Sequence, residues 1–287
     1  MFETYNVPGL YIAVQAVLAL VAGWTAKGTT QKTLTGTVVD SGDGVTHVIP
    51  VVDGYVIGSC IKHIPLAGRT MTHFIQQLLR DRGEPVPPEV SLQVAQDIKE
   101  QYCYIGKDML QEYRKFDRDL RFQKYRGIHP RTGKEYTVDV GYEQFLAPEL
   151  FFNPEMFSSE WRTPLPTVVD SSILACPIDS RRRLYNNIVL SGGSTMFRRF
   201  DMRLRDGVKT LVTNRIAENA KKVGASTAGA DVEVNVVKHK HQRYAVFFGG
   251  SMMATMPEFY SVAHTKAQYE EEGPRIARFN PTFSAGM

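Results

Sequence analysis

Two carboxylates and two glycines alternate in Asp40-Ser-Gly-Asp-Gly-Val-Thr-His47, and β-branched runs flank them, Val38 and Val39 before, Val45, Thr46, Val48 and Ile49 after. Such runs suit paired strands, and Gly42 and Gly44 accept φ > 0, so the turn between them can gather successive backbone N–H groups into one anion-binding concavity. Asp40 and Asp43 are close enough in sequence to hold a hydrated divalent cation. An ordinary hairpin with an Asp-Gly turn explains the same residues equally well.

A second glycine loop shifts that balance. The apolar run Ile188-Val-Leu190 leads into Ser191-Gly-Gly-Ser194 and then Met196 and Phe197, with a helix-like pattern beyond. Strand, glycine loop and helix start in succession is where α/β proteins bind nucleotides, because paired glycines let the backbone approach a ligand and helix N–H groups favour negative charge. The alternative is a tight turn with Ser194 as the helix N-cap.

Helix and strand signals alternate along the chain, which predicts an α/β architecture with a mixed sheet flanked by helices. Thr70 to Arg82 is the clearest helix: Met71, Phe74, Ile75, Leu78 and Leu79 form one stripe, with Gly83 just beyond its end. Pro88 to Tyr102 predicts a second, with Val90, Val94 and Ile98 a turn apart. Arg114 to Arg126 mixes charges of both signs with aromatics and reads as an exposed excursion without a register. Pro148 to Pro166 carries four prolines and marks a crossover, and Ala217 to Ala230 reads as a fraying helix end before a strand over Asp231 to Val237.

Composition excludes several classes. A net charge of +4, from 34 basic and 30 acidic residues, leaves no broad nucleic-acid footprint, and Arg181 to Arg183 and Lys238 to Arg243 are local clusters. Cys60, Cys103 and Cys176 lack the spacing of a disulfide framework or a zinc site. The most apolar stretch, Leu10 to Trp24, is broken by Gln15 and is too short for a membrane span, so it reads as a buried helix.

These segments together resemble the actin superfamily, whose ATPase fold is shared with sugar kinases and the heat-shock seventy chaperones. The resemblance runs from Met1-Phe-Glu-Thr-Tyr-Asn-Val-Pro8 through the 40–47 loop, Leu66-Ala-Gly-Arg69, Asp97-Ile-Lys-Glu100 and Ser191-Gly-Gly193 to Phe248-Gly-Gly-Ser251. Trp24 to Thr35, Gly58 to Pro65, Cys176 to Asp179, Pro257 to Tyr260 and His264 to Lys266 set it apart from conventional actin and align it with the actin-related proteins.

The resemblance implies ATP and Mg2+ as ligands. Gly42, Asp43, Gly44, Val45, Gly192, Gly193 and Ser194 correspond to the phosphate-side residues, Lys99, Glu100 and Arg243 to those around adenine and ribose, and Met196 to a further nucleotide-binding residue. Asp40 and, through water, Gln15 correspond to the metal's hydration shell; Gln15 and His47 correspond to the pair that orders the attacking water. Taken singly, Lys99 and Glu100 would be a solvated pair, Gln15 a hydrogen-bonded core amide and His47 a half-buried strand residue.

By the same resemblance, residues 1–22 and 244–287 belong to a small lobe, 23–66 with 161–243 to a large-lobe core, and 67–160 to a fourth subdomain. The family's N-terminal hairpin subdomain, with its own phosphate loop, has no counterpart before Met1. A fragment, a truncated gene model or a shortened isoform is therefore expected, with ATP and Mg2+ weak or absent in this chain and the Leu10 helix and Tyr244 to Met253 left uncovered. The implied role is a cytoplasmic subunit of the actin cytoskeleton that pairs with actin-related protein 2 in a multi-subunit complex, meets actin and nucleation-promoting factors, and is at most a slow ATPase. A sugar-kinase-like enzyme and a truncated module that binds partners without nucleotide are the alternatives.

Overall fold

Residues 1–26, 32–224 and 231–278 are described by the computed structural model; parts of the Trp24–Thr35 and Ala217–Ala230 segments and of 244–287 lie outside them. The chain runs through α1 (Phe2–Tyr5), β1 (Gly9–Leu10) and α2 (Gln15–Gly23) into the hairpin β2 (Gly36–Ser41) and β3 (Thr46–Val52). Short strands β4 (Tyr55–Val56) and β5 (Lys62–Ile64) precede helices α3 (Gly68–Asp81), α4 (Ser91–Tyr102) and α5 (Met109–Asp119). A second hairpin, β6 (Gln123–Ile128) and β7 (Glu135–Val140), is followed by α6 (Glu143–Glu149), α7 (Leu165–Ala175), α8 (Ile178–Asn186) and β8 (Ile188–Ser191). The long α9 (Phe200–Val223), β9 (Val236–Val237), α10 (Ala245–Ala254), α11 (Phe259–Val262), β10 (His264–Thr265) and α12 (Lys266–Glu272) complete the described order.

The central sheet has the order β4-β3-β2-β8-β9, with β5 added to β3. It is mixed: β2 pairs antiparallel with β3 and parallel with β8. Burial explains the composition of each strand. β8 is buried at every residue and β2 at all but Asp40, as a strand covered on both faces requires, whereas β3 largely alternates. Neighbouring β2 residues point to opposite faces, so Val39 enters the core shared with α3, α4, α7 and α9, and Val38 enters the core of α2 and α10.

The Met71–Leu79 stripe does form a helix, with Met71, Phe74, Ile75 and Leu79 buried. Its end is a Schellman turn: Glu84 N–H donates to Leu79 O, Gly83 N–H donates to Arg80 O, and Gly83 takes φ 71°. The second expected helix divides into a 3-10 turn at Pro88–Val90 and α4 proper.

Three expectations are corrected. Arg114 to Arg126 is exposed but not irregular: it holds the end of α5 and most of β6. Tyr113 and Phe116 of α5 pack with Tyr142 and Phe145, and the Asp108 carboxylate accepts from Gln111 N–H as the N-cap. The strand expected over Asp231 to Val237 is only Val236–Val237, paired with β8. The helix expected over Leu10 to Trp24 is only Gln15–Gly23, and it is not uncovered, because seven of the nine residues of α2 are buried and α10 packs against it, whereas Ile12 and Val14 ahead of it are exposed. A Cβ added to Gly249 would lie 1.8 Å from Leu18 O, so the two helices meet backbone to backbone. The other face of α10 is exposed, with Phe247 at 82% and Tyr244 at 65%. Among the described residues no helix is long and apolar enough to cross a membrane.

Candidate functional site

Strand register brings the two glycine loops together. Asp40 is the β2 partner of Ser191 on β8 and of His47 on β3, so the loops after Ser41 and Ser191 leave adjacent strand ends. Ser194 Oγ then donates to Gly42 O at 2.7 Å. Gly192 N–H donates to Gln242 O at 2.9 Å, while Gln242 Nε2 donates to Thr195 O at 2.9 Å. Gly192 sits at φ 90° and ψ 154°, and a Cβ on it would stand 2.2 Å from Ser41 O. Only glycine fits such a position.

The loop after β2 is built differently from the nest expected of it. Neither Gly42 nor Gly44 takes a positive φ. Its carbonyls are instead tied to the start of α3: Gly68 N–H donates to Gly42 O at 3.1 Å and Arg69 N–H to Asp43 O at 2.8 Å. The Asp43 carboxylate accepts from Arg69 Nε at 3.0 Å in an exposed pair, whose contribution to stability is small. The helix-like pattern after Ser194 is also corrected. A 3-10 turn covers Gly193–Thr195, Ser194 caps no helix, and α9 begins only at Phe200.

A cavity of about 770 Å³ lies over these loops, a size suited to a nucleotide. Gly42, Asp43, Gly193, Ser194 and Met196 line it together with Lys99, Glu100 and Arg243. Lys99 is 8% exposed, with Nζ donating to Gly68 O at 3.0 Å and to Thr72 Oγ1 at 2.9 Å. Burial pulls its pKa down against the opposing pull of Asp43 and Glu100. Two of its three N–H groups thus brace α4 against the start of α3, and one is left for a ligand. Arg243 Nη1 stands 4.0 Å from Glu100 Oε2.

The cradle has room for a ligand, because a Cβ on Gly193 would meet only Arg243 Cγ at 4.0 Å and one on Gly42 or Gly44 nothing within 4 Å, and Lys99 and Arg243 supply the positive charge that suits an anion. Six of the expected residues do not line the cavity: Gly44, Val45 and Gly192 flank its loops, Asp40 and His47 face each other across β2 and β3, and Gln15 is exposed at the start of α2. Among the described residues nothing hydrogen-bonds the Asp40 carboxylate, and no cluster of three or more His, Cys, Asp or Glu is set to hold a metal. A divalent cation here would rest on water and ligand oxygens as much as on protein. Gly68, Gln96, Phe197, Arg198 and Tyr244 line the cavity without having been singled out as ligands by sequence. Gly68 had a signal in the Leu66–Arg69 motif; the others are brought in by long-range packing.

The support behind the second loop carries a pH dependence. His239 is 7% exposed, with Nε2 3.2 Å from Leu190 O and, among the described residues, no partner for Nδ1. Burial lowers its pKa below the ordinary 6.5, with the Leu190 hydrogen bond opposing. The neutral ring is therefore favoured in the folded state, and its contribution is complete above pH 6.5 and lost as pH falls through the lowered value. Melting should drop between about pH 7.5 and about pH 5, and His239→Gln should reduce that drop. An equal drop in both proteins would contradict the assignment.

The family model described as Actin matches residues 1–280. Actin-related protein 3 of Acanthamoeba castellanii is 60% identical over 287 residues, covering 99% of this chain and 67% of the relative. Actin-related protein 3 of Dictyostelium discoideum is 57% identical over 282 residues, covering 98% of this chain and 67% of the relative.

Proposed function

We propose that this chain, which belongs to the actin family, is an ATP-binding subunit of a branched-filament nucleator, the actin-related protein 2/3 complex. Its identity to the actin-related proteins 3 supports the role, and the observation that carries the ligand is the cavity where both glycine loops meet Lys99, Glu100 and Arg243. In this reading the subunit pairs with actin-related protein 2 and the other complex subunits, so that the two actin-like surfaces receive actin monomers once nucleation-promoting factors have acted. Residues 1–22 with 244–287 form part of a small lobe, 23–66 with 161–243 a large-lobe core, and 67–160 a further subdomain. The close packing of α2 on α10 supports the first of these groupings.

Backbone N–H groups around Gly42 and Gly193 would hold phosphate oxygens, and Asp40 and Gln15, which lie outside the cavity lining, would reach Mg2+ only through water. Lys99, Glu100 and Arg243 take the nucleoside. When bound, ATP would supply negative charge between the glycine loops, which would make it a conformational ligand with at most slow turnover. Gln15 and His47 orient a water, a positioning role rather than strong base chemistry.

The test is actin polymerisation with reconstituted complex, activator and variant subunits. Gln15→Ala with His47→Ala should slow ATP cleavage and spare nucleation. Nucleation that collapses in step with hydrolysis, or that survives complete loss of ATP binding, would overturn the reading.

A further inference from the structure

Beside the nucleotide cavity lies a second cleft of about 590 Å³, and Cys103 and Arg198 stand on the wall common to both. Backbone fixes its floor. Tyr104 and Arg198 form a β-bridge, Ile105 N–H donates to Arg198 O at 3.1 Å, and Tyr104 N–H donates to Gln144 O at 2.8 Å. The Arg198 guanidinium is held 5.1 Å from the Tyr104 ring centre.

The charge of the lining is one-sided. Lys115, Arg121 and Arg198 face a single carboxylate, Glu112, whose Oε2 accepts from Tyr104 OH at 3.0 Å. Burial, with Glu112 adding to it, pushes the Tyr104 phenol up to about 12, so it stays a neutral donor. Arg121 is shared with Asp119 at 3.4 Å. Among the described residues neither Lys115 nor Arg198 makes an ion pair. Half-buried Phe116 and Tyr102 supply ring surface in the same lining, while Phe145 is buried behind Phe116. Apolar ring faces next to unpaired positive charge select a flat anion: the rings cover its plane and the cations take its charged end.

We propose that this cleft binds a small aromatic anion, an aryl phosphate or aryl carboxylate, separately from the nucleotide. The probe is phenyl phosphate, with inorganic phosphate and phenol as controls, titrated into the chain by calorimetry and followed by ligand-observed NMR. Phenyl phosphate should bind more tightly than either control. Lys115→Glu and Arg198→Gln should each weaken it by about fivefold or more, while Lys209→Glu, outside the cleft, should not. All three side chains are exposed, so melting should be unchanged and folding does not confuse the comparison. Excess ATP with magnesium should leave the phenyl phosphate signal in place. Equal affinity in the two cleft variants, phosphate binding as tight as phenyl phosphate, or displacement by ATP would each overturn the proposal.

Discussion

Gly192→Ala is expected to lower stability by about 3 kcal/mol or more, although it adds only one methyl group. Two costs combine. The φ of 90° with ψ of 154° lies where essentially only glycine rests, and the new Cβ would meet backbone, Ser41 O at 2.2 Å, instead of a side chain that can turn away. Relief requires β2 and β8 to separate next to the Asp40–Ser191 pair, the last pair of the ladder that joins them. Scanning calorimetry should show a melting temperature lower by roughly 6 °C or more. A shift under about 1 °C would mean that the loop relaxes freely and that the close approach is not a constraint.

Its neighbour should behave in the opposite way. Gly193→Val should leave melting unchanged, since the added Cβ meets only Arg243 Cγ at 4.0 Å. The branched side chain then occupies the space above the loop, where the proposed phosphate contacts form. Losing one or two charge-assisted hydrogen bonds there predicts a fall of about 100-fold in ATP affinity. Competition against a fluorescent ATP analogue in the assembled complex measures it, and nucleation should fall with it. An affinity within about threefold of the parent would remove Gly193 from the site.

The sequence made local features readable and left most long-range ones hidden. The α3 stripe and Gly83 were visible because a helix and its cap are written within a few residues of each other. Both glycine loops were visible as strand-flanked motifs, but not the reason for each glycine. Gly42 and Gly44 looked as though they needed unusual backbone angles and do not, whereas Gly192 needs one because Ser41, far away in the chain, lies against it. The aromatic packing of α5 was missed because its partners, Tyr142 and Phe145, come from beyond the β6–β7 hairpin. Lys99 was readable as a cavity residue only through family resemblance. Its bracing of Gly68 and Thr72 depends on the packing of α3 against α4, which no local pattern encodes.

The seam between α2 and α10 sets the order in which this protein can be completed. Gly249 lies against Leu18, Lys266 Nζ donates to Asn6 Oδ1 from 260 positions away, and Tyr269 OH donates to Glu3 Oε1. A chain emerging from the ribosome therefore presents the side of α2 that faces α10 long before that cover exists, although the sheet covers the rest. At about 5–20 residues per second the wait lasts on the order of tens of seconds, far longer than hydrophobic collapse takes. Newly made chains should accordingly depend on holding factors until synthesis ends, and a stop codon before Ala245 should yield an insoluble product even though the β2–β8 sheet is already complete.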